Sequence, residues 1–277
     1  MQFKVTAIAS YPVPVRLGIF AILLLLLWSP FAIPLYIFFG DRPNLVSIST
    51  MAILYIEFIG LLRFWSKKVY QNPRWLHYYG IEATRYNGIA CLRGLSLGLI
   101  LTLSLFAFEL SLGFLEFISP SVTLIKIIAE GLIIAVLVSF SEELLFRGWI
   151  LNELDQNYST KIALLINALL FAALHYIKPL SEMIRTLPQF PALFILGAIL
   201  VQARRLERGK LGKSIGIHAG LIWGYYIVKV GGLIENLDYI PSWITGIDGN
   251  PLAGLIGLAF LGILAYTNLL AAGFINK

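Results

Sequence analysis

Long apolar runs separated by short polar stretches dominate the chain. A membrane span needs about 20 mostly apolar residues. Eight stretches meet or approach that length, at about 17–39, 45–62, 94–117, 123–150, 161–177, 190–204, 214–231 and 251–272. The first follows Lys4 and Arg16, as a signal peptide would, but its apolar run continues through Pro30 and Pro34 to Phe39 without a small-residue cleavage site. It reads as a retained, proline-kinked anchor. The longest polar stretch, 63–93, opens with FWSKKVYQNPRWLHYYG, a mixture of Trp, Tyr, Lys and Arg that suits the headgroup layer, and His77 within it reads as an interfacial histidine. Segment 232–250, with Asp238 and Asp248, reads as an outer loop. The pattern predicts an all-α polytopic membrane protein with about eight transmembrane helices, a single membrane domain over 1–277, without internal repeats.

Composition agrees. The 277 residues are 58% hydrophobic and only 13% charged, and the mean hydropathy is +0.83. Soluble domains carry about 25% charged residues, so a soluble enzyme, a nucleic-acid-binding domain and a disordered chain are all excluded. The net charge of +6 does not gather on one patch. With eight spans, sixteen basic residues fall on one side and three on the other, which predicts cytoplasmic termini. Nucleic acid is therefore not an expected partner; membrane lipid is. The single cysteine, Cys91, permits no intrachain disulfide and reads as an inert thiol.

Ionisable residues inside spans are costly, and each is a candidate for function. Glu57 and Glu109 read as protonated acids hydrogen-bonded to neighbouring helices, Lys126 and Glu130 as a local ion pair, and Lys229 as a snorkelling lysine. The cluster SEELLFRG differs. Glu143 and Arg147 are i,i+4 neighbours and can pair, while Glu142 points about 100° away and is left without a local partner. Later spans carry His175, at steps of four from Asn167 and Phe171, and His218, flanked by the small-residue stripe Gly216, Gly220 and Gly224. His218 faces away from that stripe, on a face with Ser214, Ile222, Tyr225 and Lys229. The turn at Asp155–Thr160 makes an antiparallel hairpin in which Glu142 and His175 are nearly level. His218 reaches the same depth only if the tip of that hairpin projects well beyond the start of its own span. One carboxylate and two histidines in a low-dielectric enclosure suit water activation, with one histidine relaying a proton and the other binding an oxyanion. Three unrelated packed polar residues, or the proton relay of a transporter, fit the same pattern.

EELLFR and FAALH match the EExxxR and FxxxH motifs, and His218 opens a third motif, so that residues of about 120–230 resemble the CPBP family of CAAX-protease and bacteriocin-processing (Abi-type) glutamic intramembrane proteases. The resemblance implies a CPBP-type helical bundle with a catalytic core at about 120–230, preceded by N-terminal spans and the interfacial segment in 1–93 and followed by the last span at 251–272. It further implies that Glu142 and His175 activate a water and that His218 contributes to the oxyanion hole. Glu143 and Arg147 would brace the site, with Phe171 of the second motif in support. The implied substrate is a peptide or membrane protein, prenylated or unmodified, cut by hydrolysis. The third motif often carries Asn four residues after its histidine; here that position is Ile222, which cannot donate, so Asn167, Trp223 or Tyr225 would have to substitute or line the cavity. No cofactor is implied. A zinc metalloprotease using Glu142 or Glu143 with His175 and His218, and a non-proteolytic scaffold or immunity protein, are the competing readings; HExxH is absent.

Overall fold

The computed structural model describes residues 4–120, 123–237 and 239–275. A 3₁₀ segment, Val5–Ser10, leads into α1 (Val13–Phe39), which contains Pro30 and Pro34, and α2 (Pro43–Lys68) returns beside it. A short helix α3 (Trp75–Tyr78) lies in the link to α4 (Arg85–Ser111). Strand β1 (Leu115–Phe117) follows, and then α5 (Leu124–Glu143) runs through a π-helical turn, Leu144–Ile150, straight into α6 (Leu151–Asp155). The rest is α7 (Thr160–Leu174), α8 (Leu180–Thr186), α9 (Phe190–Leu206), α10 (Gly212–Lys229), β2 (Ile234–Asn236), α11 (Ser242–Thr245) and α12 (Leu255–Ile275).

Each predicted span falls on one of these helices, and the molecule is an all-α, membrane-like bundle. The count of eight is not established. Among the described residues five helical stretches, Val13–Phe39, Pro43–Lys68, Arg85–Ser111, Leu124–Asp155 and Leu180–Leu206, are long and apolar enough to cross a membrane, while Thr160–Leu174 and Leu255–Asn268 are apolar but shorter. Several boundaries also move. The third predicted span, 94–117, ends as a helix at Ser111, because Gly113 adopts φ +70°, and residues 115–117 pair antiparallel with 234–236 instead. The fifth stops at Leu174, with His175 as its C-cap. Much of the polar stretch 63–93 is helical, since its ends close α2 and open α4. The presumed outer loop at 232–250 contains β2 and α11. Asp238 and Lys277 lie outside the described residues.

Two packing features set the position of the polar cluster. First, α10 lies directly on α4, with Gly216 against Gly94 and Gly220 against Gly98. A methyl group on Gly94 would stand 2.5 Å from the Lys213 carbonyl oxygen, and one on Gly216 would stand 2.7 Å from Leu95 N and collide with the Cys91 carbonyl. Only the glycine stripe permits this approach, and the contact is made within the chain. Second, α1 and α2 dock on the π-helical turn through aromatic rings: Phe20 sits 3.9 Å from Trp149 and 5.3 Å from Trp65, centroid to centroid.

Polar contacts reinforce that second junction. Arg16, expected in a basic flank, is buried inside α1 and donates from Nε to Glu153 at 2.7 Å. The Glu153 carboxylate also accepts from Trp65 Nε1 at 3.0 Å and Tyr70 Oη at 2.6 Å. Buried charge is tolerated when paired and fully hydrogen-bonded, as here. By contrast, Glu57 Oε2 and Glu109 Oε1 are buried without the hydrogen bonds expected of them.

Candidate active site

Three helices bring the polar residues together. Glu142 and Glu143 close α5, His175 caps α7, and His218 lies in the second turn of α10. Glu142 stands 13 residues from the end of α6, about 20 Å of helix, whereas His218 stands only about 9 Å beyond the start of α10. Their meeting therefore requires the α6–α7 hairpin to project about 11 Å past the α9–α10 turn, which resolves the depth condition.

Glu142 Oε2 lies 3.7 Å from His175 Nε2 and 3.8 Å from His218 Nε2. Both separations exceed a direct hydrogen bond, and Oε2 is buried with no partner. Each imidazole is fixed from its other nitrogen. His175 Nδ1 is 2.7 Å from the Phe171 carbonyl oxygen; a carbonyl only accepts, so Nδ1 donates there and Nε2 is turned to Glu142. His218 Nδ1 is 3.0 Å from Glu143 Oε1.

Glu143 and Arg147 pair as their spacing predicts, with NH1 donating to Oε1 at 2.9 Å, both side chains fully buried. Arg147 NH2 also donates to the Gly197 carbonyl at 3.0 Å. Its guanidinium lies 4.3 Å from the Phe171 ring centroid, and that ring in turn contacts both histidines, at 4.6 Å from His175 and 6.0 Å from His218. Phe171 thus packs between the braced arginine and the two imidazoles, an arrangement worth about 0.5–2 kcal/mol through its cation–π contact.

The candidates for replacing the missing asparagine fall in different places. Asn167 is buried and commits Nδ2 to the Phe146 carbonyl at 2.7 Å, inside the π-helical turn. Its donor secures the backbone that carries Arg147. Trp223 Nε1 donates to the Ile128 carbonyl at 2.9 Å, away from the imidazoles. Tyr225 and Ile222 line, with His218, a cavity of about 190 Å³. Its other walls are mainly apolar, including Leu196, Leu221, Leu252 and Leu261 from α9, α10, the segment before α12 and α12 itself. Among the described residues no group of three or more His, Cys, Asp or Glu side chains is arranged to hold a metal ion.

Two residues at the site's margin escaped sequence reasoning. Glu153 was hidden in the polar hairpin tip, and Arg204 in a basic run read only as a topology signal. Arg204 is buried at the end of α9 and donates from NH1 to the Arg147 carbonyl and from NH2 to Asn152 Oδ1 at 2.6 Å. A positive charge only three residues after Val201, at the end of a strongly apolar run, was the available hint.

No curated protein and no solved structure matches this chain. Residues 124–224, which carry Glu142, Arg147, His175 and His218, match the family model described as type II CAAX prenyl endopeptidase Rce1-like, and this match is consistent with the CPBP family.

Proposed function

We propose that the chain is an intramembrane endopeptidase that hydrolyses a peptide bond with a water activated by Glu142 and His175. The observation that carries the reading is the convergence of both Nε2 atoms on the unpartnered Glu142 Oε2, at 3.7 and 3.8 Å. That spacing suits a water held between carboxylate and imidazole. The water oxygen attacks the scissile carbonyl carbon as its proton passes to Glu142. His218, held by Glu143 at Nδ1, directs Nε2 at the developing oxyanion. Collapse of the tetrahedral species breaks the C–N bond, and the leaving amine takes the proton from Glu142, yielding a carboxylic acid and an amine, which then share the acid's proton as carboxylate and ammonium. Phe171 and the Glu143–Arg147 pair hold the imidazoles in place. The apolar cavity beside His218 would seat a hydrophobic side chain or a lipid chain of a membrane-associated substrate. The basic ends of the helices are assigned to the cytoplasmic side.

The test compares membrane and secreted peptides from cells expressing wild type or Glu142→Gln at matched levels. Defined products that vanish in the variant, whose fold is unchanged, are expected. Identical peptide pools would overturn the reading in favour of a scaffold or immunity role. Stoichiometric zinc with chelator-reversible loss of cleavage would replace it with a metalloprotease.

A further inference from the structure

A second cavity, of about 380 Å³, lies on the basic end of the bundle, between the α2–α4 link and the α9–α10 turn. Asn72, His77, Glu82, Arg204, Arg208 and Lys210 line it. Its frame is tied together by backbone: Leu211 N donates to the Gly80 carbonyl at 2.9 Å, and Gly80 and Gly209 both adopt positive φ where the two segments cross.

The charges in this cavity do not balance. Glu82 is the only acidic lining residue, and it is already engaged by Lys210 Nζ at 3.0 Å and His77 Nε2 at 3.3 Å. Arg204 is 6% exposed, yet its hydrogen-bond partners are all uncharged: the carbonyls of Gly209 and Arg147 and the side-chain oxygen of Asn152. Those three bonds use three of the five guanidinium N–H groups. Among the described residues no carboxylate forms an ion pair with Arg204, and Asp155, the nearest acid in sequence on the facing hairpin, pairs with Arg205 at 2.9 Å. Arg208 adds an exposed cation on the rim. Asp155 and Glu143 act on Arg204 through space without an ion pair, so the guanidinium keeps N–H groups that an anion could take up.

We infer that this cavity binds a phosphate group, with Arg204 at its base and Arg208 and Lys210 at its mouth. Guanidinium and ammonium donors in this number match phosphate oxygens. Position favours an acidic phospholipid headgroup as the source, because Lys210 at the mouth lies 5.0 Å from the exposed Tyr86 ring and the lining link carries the Trp, Tyr, Lys and Arg mixture of a headgroup layer, where basic pockets recruit acidic lipids. The bound charge would sit against the residue that holds the Arg147 carbonyl. The inference does not depend on the proposed proteolysis, and its test does not read cleavage.

The full-length protein is placed in nanodiscs of phosphatidylcholine alone, of phosphatidylcholine with phosphatidylglycerol, or of phosphatidylcholine with inorganic phosphate in the buffer. Retained lipid is read by native mass spectrometry and thermal unfolding by fluorescence. Phosphatidylglycerol is expected to be retained and to raise the unfolding temperature. Arg208→Gln with Lys210→Gln should weaken that retention about thirty-fold, while the charge-matched Lys67→Gln with Lys68→Gln leaves it unchanged. Protection by phosphatidylglycerol without free phosphate assigns the lipid; equal protection by inorganic phosphate assigns the free anion, and either supports the cavity. Equal retention of both lipids, or equal losses in the two double variants, overturns it. If the Arg208/Lys210 variant does not fold, a photoreactive phosphatidylglycerol on wild type decides: labelling of 72–82 and 204–210 is expected, and labelling confined to other segments refutes the inference.

Discussion

Replacing Arg147 with Met would remove the charge that pairs directly with the buried Glu143 carboxylate. The variant loses the 2.9 Å bond to Glu143, the 3.0 Å bond to the Gly197 carbonyl and the stack at 4.3 Å over Phe171. It also leaves a fully buried Glu143 carboxylate with only His218 Nδ1 at 3.0 Å. Breaking a buried pair from one side costs about 3–5 kcal/mol, most of it the stranded charge. Glu143→Gln with Arg147→Met removes both charges and keeps an amide oxygen to accept from His218, so it should lose only about 1–2 kcal/mol. The double variant should therefore be about 2–3 kcal/mol more stable than Arg147→Met. Equilibrium unfolding in mixed micelles, titrated with a denaturing detergent and followed by tryptophan fluorescence, measures both variants against wild type. If the double variant were no more stable than Arg147→Met, the stranded carboxylate would not be the cause, and the account of the pair as a mutually neutralising brace would be wrong.

Other expectations follow from the same geometry. Gly216→Ala should destabilise by about 1–3 kcal/mol, because its methyl group meets α4 backbone at 2.7 Å, while Gly18→Ala, with open space around it, should be neutral or mildly stabilising in the same assay. Asn167→Leu should cost about 1–3 kcal/mol, as the Phe146 carbonyl loses a buried 2.7 Å donor; a wild-type unfolding curve would show that the π-helical turn does not need it. Burial, with Glu153 nearby, pushes the Tyr78 phenol up to about 12. Its neutral form is therefore favoured in the folded state, so this contribution to stability is complete below pH 10 and is lost as pH rises from 10 to about 12. Unfolding temperatures measured across that window should fall less steeply in Tyr78→Phe, and parallel curves would exclude Tyr78 as the source.

The pairing of Glu143 with Arg147 was legible because a four-residue spacing on a helix is local, and the π-helical turn begins just after Glu143 without separating them. The isolation of Glu142 from that pair was legible for the same reason. Its partners were another matter. His175 Nδ1 binds the Phe171 carbonyl, again a local contact, but His218 meets Glu143 across 75 residues, and only the projecting hairpin makes their depths agree. The glycine stripe on α10 announced a close helix contact without naming α4 as its partner. Asn167 was among the candidates to replace the donor missing at Ile222, whereas packing turns its amide to the Phe146 carbonyl.

Apolar run length, charge placement and i,i+4 spacing are properties of short segments, and hydrocarbon thickness together with helix geometry converts them directly into spans and local pairs. They determined a membrane-embedded helical bundle and the identity of its polar cluster. Long-range partners obey no such local rule. The clamp of Arg16, Trp65 and Tyr70 on Glu153, the hold of Arg204 on the Arg147 carbonyl and the convergence of two imidazoles on Glu142 depend on how helices distant in sequence stack and slide. Buried polar groups in a low-dielectric interior take whichever partners that stacking supplies, and only the tertiary structure decided which those were.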